Sequence, residues 1–462
     1  MGCAEPTTVD DTPPPTVPSP EPPGSIELLS GLYDGYDALA TPHYRHLRTQ
    51  ISDYRVTYLS DAGARSAEYK WSAEHFDRVL IDWADSRSPG EYRRISPNVE
   101  LYRYVLTWSV PHPDGSVHAA SRYYTHMQDW YRRHPEYQIE NAFLHDPTKC
   151  SMSNRSQACR IVIHMWRMDR WVMNPADAGL RVYNRERLTA VASDVDGLFI
   201  DEHSTGDFTL YLQPHPILEY SSWSVFEADI VRMLRNMRTD ISPKRLMVNG
   251  YNYVKDWDLE MSVAAGGTHM ESMNNPVFPE MESRWSHVER LLAAGSTVNM
   301  ARWDYPMPAD FNAGNAVSVE ARRRIWELAS HYLVAPLEPG QLYFNSIGDD
   351  WTKPFSANWD TAVEANIGAP RGARRIVAEG HDATGQAYRI WSRDYERALV
   401  IVRAVIEWGD ERYGDETVVE VQLPAGERFR PLMIDGRVSG AVDRIALRAA
   451  EAAILIKENR VR

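Results

Sequence analysis

Residues 194–207 read DVDGLFIDEHSTGD. A short apolar run, Leu198 to Ile200, stops at two adjacent carboxylates, Asp201 and Glu202, and a polar loop with Gly206 follows. A buried strand that leaves a core and ends in an open mouth has this pattern. Strand alternation separates the acidic pair. Gly197, Phe199 and Asp201 fall on one face, and Leu198, Ile200 and Glu202 on the other. A regular strand therefore points only one of the two at a site. The expected one is Asp201, with Glu202 bracing the loop.

Seven further runs share this character. They are 77–83 (DRVLIDW), 99–108 (VELYRYVLTW), 170–175 (RWVMNP), 245–253 (RLMVNGYNY), 266–272 (GGTHMES), 296–305 (STVNMARWDY) and 339–345 (PGQLYFN). Between them, residues 225–240, 280–295 and 318–334 repeat apolar residues at i, i+3 and i+4, as amphipathic helices do. Eight strand–helix alternations over roughly 300 residues predict an α/β fold, a (β/α)8 TIM barrel spanning 25–360. No G-x-G-x-x-G follows any run, which counts against a dinucleotide-binding sheet. After about residue 365 the runs become short and β-branched, with polar turns between them. This predicts a small antiparallel β-sandwich over 365–462.

The chain has 462 residues and a formal charge of −14, which argues against a nucleic-acid partner. It carries 15 Trp and 24 Tyr against 10 Phe. Side chains with an apolar face and a polar edge suit ligands such as sugars. The opening MGCAEPTTVDDTPPPTVPSPEPPG cannot build a core and is expected to be a disordered tether over 1–24. Its Gly2-Cys3 pair resembles the lipobox end of a bacterial lipoprotein whose leader has been removed, with Cys3 lipidated. Export would permit a disulfide, and Cys150 and Cys159 are the pair expected to form it.

Barrel active sites lie at the C-terminal ends of the strands. The runs end in Asp82, Trp83 and Asp85; Asn174; Asp201 and Glu202; Asn249 and Tyr251; Glu271; and Trp303, Asp304 and Tyr305. Glu338 precedes the last run. Glycosidic cleavage needs one carboxyl group to protonate the leaving oxygen, and another to attack the anomeric carbon or activate water. Asp201 and Glu271, on the fourth and sixth runs, would face each other across the mouth. Asp201 is the expected nucleophile or base and Glu271 the general acid/base. Asp82, Trp83, Asn174, Glu202, Asn249, Tyr251, Trp303, Asp304 and Glu338 would line the substrate cleft.

The segment RWVMNPADAGLRVYNRERLTAVASDVDGLFIDE resembles the W-x-x-N-P … G-v-F-x-D-E/N core of hypothetical glycosyl hydrolase family fifteen, which is distinct from the glucoamylases of that number. The likeness extends loosely through NGYNY, HMES and ARWDYP. It implies a barrel glycosidase with Asp201 as nucleophile and Glu271 as acid/base. The insert NAFLHDPTKCSMSNRSQACR departs from the pattern, so no substrate is carried over.

A metal-dependent hydrolase would want a His-x-His near the first run, where IDWAD stands instead, and an esterase would want G-x-S-x-G. A non-catalytic sugar-binding lipoprotein is the alternative from another class. The expectation is an exported, lipid-anchored bacterial glycoside hydrolase of the cell envelope or extracellular space. It would act on a polysaccharide or oligosaccharide and need no metal or organic cofactor.

Overall fold

The computed structural model describes residues 27–28, 47–50, 62–81, 88–112, 118–165, 168–250, 255–270, 281–301, 316–338, 340–345, 360–404 and 417–458. Its centre is a closed barrel of eight strands. In chain order they are Leu47–Gln50 (β1), Arg78–Ile81 (β2), Glu100–Val105 (β3), Gly197–Ile200 (β4), Arg245–Asn249 (β5), Gly267–Met270 (β6), Thr297–Ala301 (β7) and Leu342–Asn345 (β8). Every neighbouring pair is parallel, and β8 returns to β1 with Tyr343 opposite Leu47. The described helices are Ala62–His75 (α1), Ser88–Ile95 (α2), His118–Arg133 (α3), Ala178–Val191 (α4), Trp223–Asp240 (α5), Asp256–Ala265 (α6), Met281–Ala293 (α7) and Ala316–Val334 (α8). The three helices expected from periodicity are found as α5, α7 and α8. No described helix is long and apolar enough to cross a membrane.

One expected strand is corrected and one unexpected strand is added. The barrel begins with LRTQ at β1, a run with a single apolar residue and hence no periodic signal. Residues 170–175 are not a barrel strand. Met168–Val172 instead joins Ser109–Pro111 and Val162–Met165 in an antiparallel three-stranded sheet, part of a long excursion between β3 and β4. The omission and the false strand cancel, so Gly197–Ile200 is still the fourth strand.

Alternation divides each strand between two cores. Outward residues such as Leu101, Val105, Leu198, Ile200, Leu246 and Val248 pack in one cluster with helix residues such as Leu188, Ile230 and Leu234. Inward, Leu80, Tyr102, Phe199 and Met247 fill the barrel. At its N-terminal end the fully buried Arg78 pairs with Glu100 (2.7 Å) and Asn299 (2.9 Å) between the Tyr102 and Tyr343 rings. A buried guanidinium is tolerated only when paired and hydrogen-bonded in this way. Gly197 makes room for this layer, since a Cβ there would lie 2.6 Å from the Tyr102 ring.

Beyond the barrel, Arg375–His381 (β9), Ala387–Asp394 (β10), Ala398–Ala404 (β11), Phe429–Pro431 (β12) and Ala452–Lys457 (β13) form an antiparallel sheet in the order β9-β10-β11-β13-β12. A two-stranded sheet, Val419–Gln422 with Arg444–Leu447, shares a core with it through Val421, Leu447, Ile401 and Leu455. Another core joins the five-stranded sheet to α8, where Trp326, Ala329 and Leu333 meet Val400, Val402 and Ile454. Glu27–Leu28, expected within the barrel, pairs instead with Arg437–Val438 of this β region. The proposed tether over 1–24 lies outside the described residues.

Candidate active site

Asp201 is the first residue past β4, at the C-terminal mouth of the barrel. Its Oδ1 accepts from Asn249 Nδ2 at 2.7 Å and from the Glu202 N–H at 2.8 Å. Its Oδ2 accepts from the Tyr104 hydroxyl at 2.6 Å. Tyr104 stands on β3 and Asn249 on β5, the two strands that flank β4. The carboxylate is thus held from both sides and from its own backbone. All three partners donate, which suits the acceptor-only carboxylate form, and each bond to an ionised group contributes ~1.5–3 kcal/mol. Burial, then the Asp201 and Glu202 carboxylates, raise the Tyr104 phenol well above its ordinary value and keep it a donor.

Glu202 has left the regular strand, so the turn and not the pleat sets its direction. It adopts a left-handed backbone with φ of 63°, uncommon for a residue with a side chain. Its buried carboxylate pairs with the buried Arg170 of the excursion sheet. Burial, with Asp201 and Asp207 nearby, pushes the Glu202 carboxyl up to about 8 in spite of that guanidinium. The bracing role expected of Glu202 therefore has a named partner.

The next turn locks the strand end. The His203 N–H donates to the Asn249 carbonyl at 2.9 Å, and its ring Nδ1 meets the Asp201 carbonyl at 2.9 Å. Burial lowers His203 to about 4, so the ring is neutral near pH 7. Because a carbonyl can only accept, Nδ1 carries the proton and Nε2 faces the Thr107 hydroxyl at 3.4 Å. Gly250 allows this approach: a Cβ there would lie 2.5 Å from the His203 carbonyl oxygen. Ser204 and Asp207 then form a capping box. Burial raises Asp207 to about 6, and raises Asp258, which accepts the Thr205 N–H at 2.7 Å, to about 7.

Beside Asn249, on β6, stands His269, edge-on to Phe199 with centroids 5.4 Å apart. It is fully buried, and burial drops it to about 3. Neither ring nitrogen has a hydrogen-bond partner among the described residues.

The other sequence candidates divide three ways. Asn174 belongs to the excursion, and its side chain is used internally. It donates to the Asn141 carbonyl at 3.0 Å and accepts from the Ala176 N–H at 3.1 Å and from the Tyr220 hydroxyl at 3.2 Å. Glu338 is exposed on the connection from α8 into β8, which places it at the opposite end of the barrel from Asp201. Preceding a strand means lying at its N-terminal end, so Glu338 does not join the mouth. Asp82, Trp83, Tyr251, Glu271, Trp303, Asp304 and Cys3 lie outside the described residues. Cys150 and Cys159 stand as thiols in hydrogen-bond contact, not as the expected disulfide.

Sequence reasoning missed Tyr104, Arg170 and His203. Tyr104 was within reach, because alternation in ELYRYV puts Glu100, Tyr102 and Tyr104 on one face. Arg170 carried no such signal, since its partner comes from a different sheet. Among the described residues no three His, Cys, Asp or Glu side chains gather as metal ligands.

No family model matches the chain, and no curated protein does. Solved structures are similar to it at low identity. A GH27 β-L-arabinopyranosidase from Geobacillus stearothermophilus is 12% identical with a TM-score of 0.48, over 90% of this chain and 97% of that one. Amy13B of Eubacterium rectale is 10% identical with a TM-score of 0.49, over 90% and 96%. The maltogenic α-amylase AmyB of Thermotoga neapolitana is 10% identical with a TM-score of 0.46, over 90% and 99%. Likenesses of this strength leave the chemistry to be read from this chain's own side chains.

Proposed function

We propose that the chain is a glycoside hydrolase acting on a cell-surface or extracellular polysaccharide. The observation that carries this reading is the Asp201 carboxylate, fixed at the barrel mouth by Tyr104, Asn249 and the Glu202 N–H. A carboxylate held by donors on both flanking strands is oriented for attack or for activating water before substrate arrives. Glu271, two residues past His269 in sequence, is its proposed partner. Glu271 would protonate the glycosidic oxygen as the bond to the anomeric carbon breaks. In a retaining reaction Asp201 forms the glycosyl ester, and Glu271 then takes a proton from the water that releases it. In an inverting one Asp201 takes the proton of the attacking water.

The test is a hydrolysis screen over a polysaccharide panel with the wild-type chain, Asp201→Asn and Glu271→Gln. The reading expects a cut polymer and a loss of at least ~10³-fold in both variants. Full activity in either variant overturns that residue's role. Binding without cleavage by any form points to a carbohydrate-binding protein. Export and anchoring through Cys3 belong to the same proposal, supported by Gly2-Cys3 and the Pro-rich tract after it. Mass spectrometry of the native chain would detect the expected diacylglyceryl group.

A further inference from the structure

At the end of the five-stranded sheet a cavity of about 400 Å³ opens between the start of β9, the end of β10, the start of β11 and the turn before β12. Leu399 and Phe429, both buried, are among its apolar lining residues, and Arg371, Arg375, Asp394 and Glu427 are its charged ones. The arginines around it are committed. Arg374 pairs with Glu289 at 3.0 Å and Arg403 with Asp382 at 2.7 Å, and Arg393 donates to the Gly372 carbonyl at 2.8 Å. Arg371 and Arg375 are not: both are exposed, and neither side chain has a hydrogen bond or ion pair among the described residues. Glu427 is likewise unengaged, whereas Asp394 is neutralised by Lys457 at 2.5 Å.

Two unengaged guanidinium groups lining one cavity are fork-shaped donors for a carboxylate. A simple anion would want donors alone, and Glu427 would repel it. A sugar acid offers both halves of the match, a carboxylate for the arginines and hydroxyls for Glu427. The cavity volume falls within the ~300–1,000 Å³ of small-ligand sites. We propose that this cavity is a second sugar site, binding one or two units of a carboxylate-bearing oligosaccharide. The choice of a sugar rests on the hydrolase reading.

The site is remote from Asp201. Arg393, next to Asp394, donates to the Leu333 and Tyr332 carbonyls at 2.8 and 3.3 Å, at the C-terminal end of α8. Barrel helices run antiparallel to their strands, so that end lies at the face opposite the mouth. A polymer held there would be retained on the enzyme without touching the reacting carboxylates.

The experiment titrates trigalacturonate, neutral galactotriose and inorganic phosphate into the full chain by calorimetry at low salt. An Asp201→Asn background excludes cleavage. Trigalacturonate is expected to bind, and Arg371→Ala/Arg375→Ala to weaken it at least tenfold at unchanged Tm. Glu427→Gln is expected to weaken it less, and Arg371→Lys/Arg375→Lys to restore part of the affinity. Unchanged affinity in the double alanine variant overturns the proposal. So does phosphate or galactotriose binding as tightly as trigalacturonate with the same dependence on the two arginines. Arginine-dependent binding by a chain that cuts no polymer would sink the hydrolase reading and leave the cavity site standing. Cleavage with arginine-independent binding would do the reverse.

Discussion

Asn249 donates from Nδ2 to Oδ1 of Asp201 at 2.7 Å, from the strand next to the one that carries the carboxylate. Its backbone carbonyl also accepts the His203 N–H, so one residue fixes both the side chain and the loop behind it. Replacing the donor by an acceptor sets two carboxylates against each other. Asn249→Asp is expected to lower kcat by ~10²-fold with a smaller change in KM, since a bond of ~1.5–3 kcal/mol to a charged group is lost. Tyr104→Phe removes one donor and leaves no repulsion, and a loss of about tenfold is expected. Steady-state kinetics on the polymer found in the screen checks both, and equal losses would contradict the repulsion argument.

The pair Arg170–Glu202 ties the excursion sheet to the residue after Asp201. Arg170→Met leaves Glu202, 5% exposed, without its counter-charge. Removing one partner of a buried ion pair costs ~3–5 kcal/mol when the other must stay ionised. The Glu202 carboxyl is held up to about 8, so it can escape that cost by keeping its proton at low pH. The variant's loss in urea denaturation should therefore be small up to about pH 7 and grow as pH rises past about 8. Arg170→Met/Glu202→Gln should recover most of the loss at the upper end. A loss independent of pH would mean that packing, not charge, holds the two together.

Asp258 gives a second pH signature with a definite sign. Burial raises its carboxyl from 3.8 to about 7, so the folded state resists ionising it while the unfolded chain does not. Its contribution to stability is complete below about pH 4 and is lost as pH rises through about 7. Asp258→Asn keeps an acceptor for the Thr205 N–H and removes the titration. Relative to the variant, the wild type should lose on the order of 1–4 kcal/mol between pH 4 and pH 8. Thermal unfolding across that range, wild type minus variant, isolates this group from His203 and His269. Those two titrate with the opposite sign, since burial lowers both.

The barrel and the β region were legible because β2 to β8 lie in short runs closed by polar loops, and the buried faces of helices such as α5 and α7 keep a 3.6-residue period. β1 was not, because LRTQ is short and mostly polar. Residues 170–175 misled because a sheet in an excursion obeys the same alternation as a barrel strand. The orientation of Asp201 followed from pleating alone. What holds it did not, because Tyr104 and Arg170 lie 97 and 32 positions from the groups they meet, and sequence spacing carries no record of such neighbours. Asn249 is a substrate-binding candidate whose amide also donates to Asp201.

Cys150 and Cys159 bracket an exposed loop on that excursion. Hydrogen bonds from Cys150 and Ser156 lower the Cys159 thiol, making it the sulfur that more readily loses its proton. A thiolate there attacks a disulfide oxidant such as oxidised glutathione, and Cys150 then displaces the mixed disulfide. Both protein sulfurs are oxidised and the oxidant leaves as two thiols. Closing so short a loop restricts the unfolded chain by about 2–3 kcal/mol. His145, hydrogen-bonded to Glu219 at 2.7 Å next to this loop, already fixes the native geometry, so little of that gain should be spent on reordering. The oxidised chain is expected to unfold at a higher temperature than Cys150→Ser, and the difference should vanish in dithiothreitol. A wild type that keeps two free thiols after oxidation, by thiol titration, would show that the two sulfurs do not close the loop.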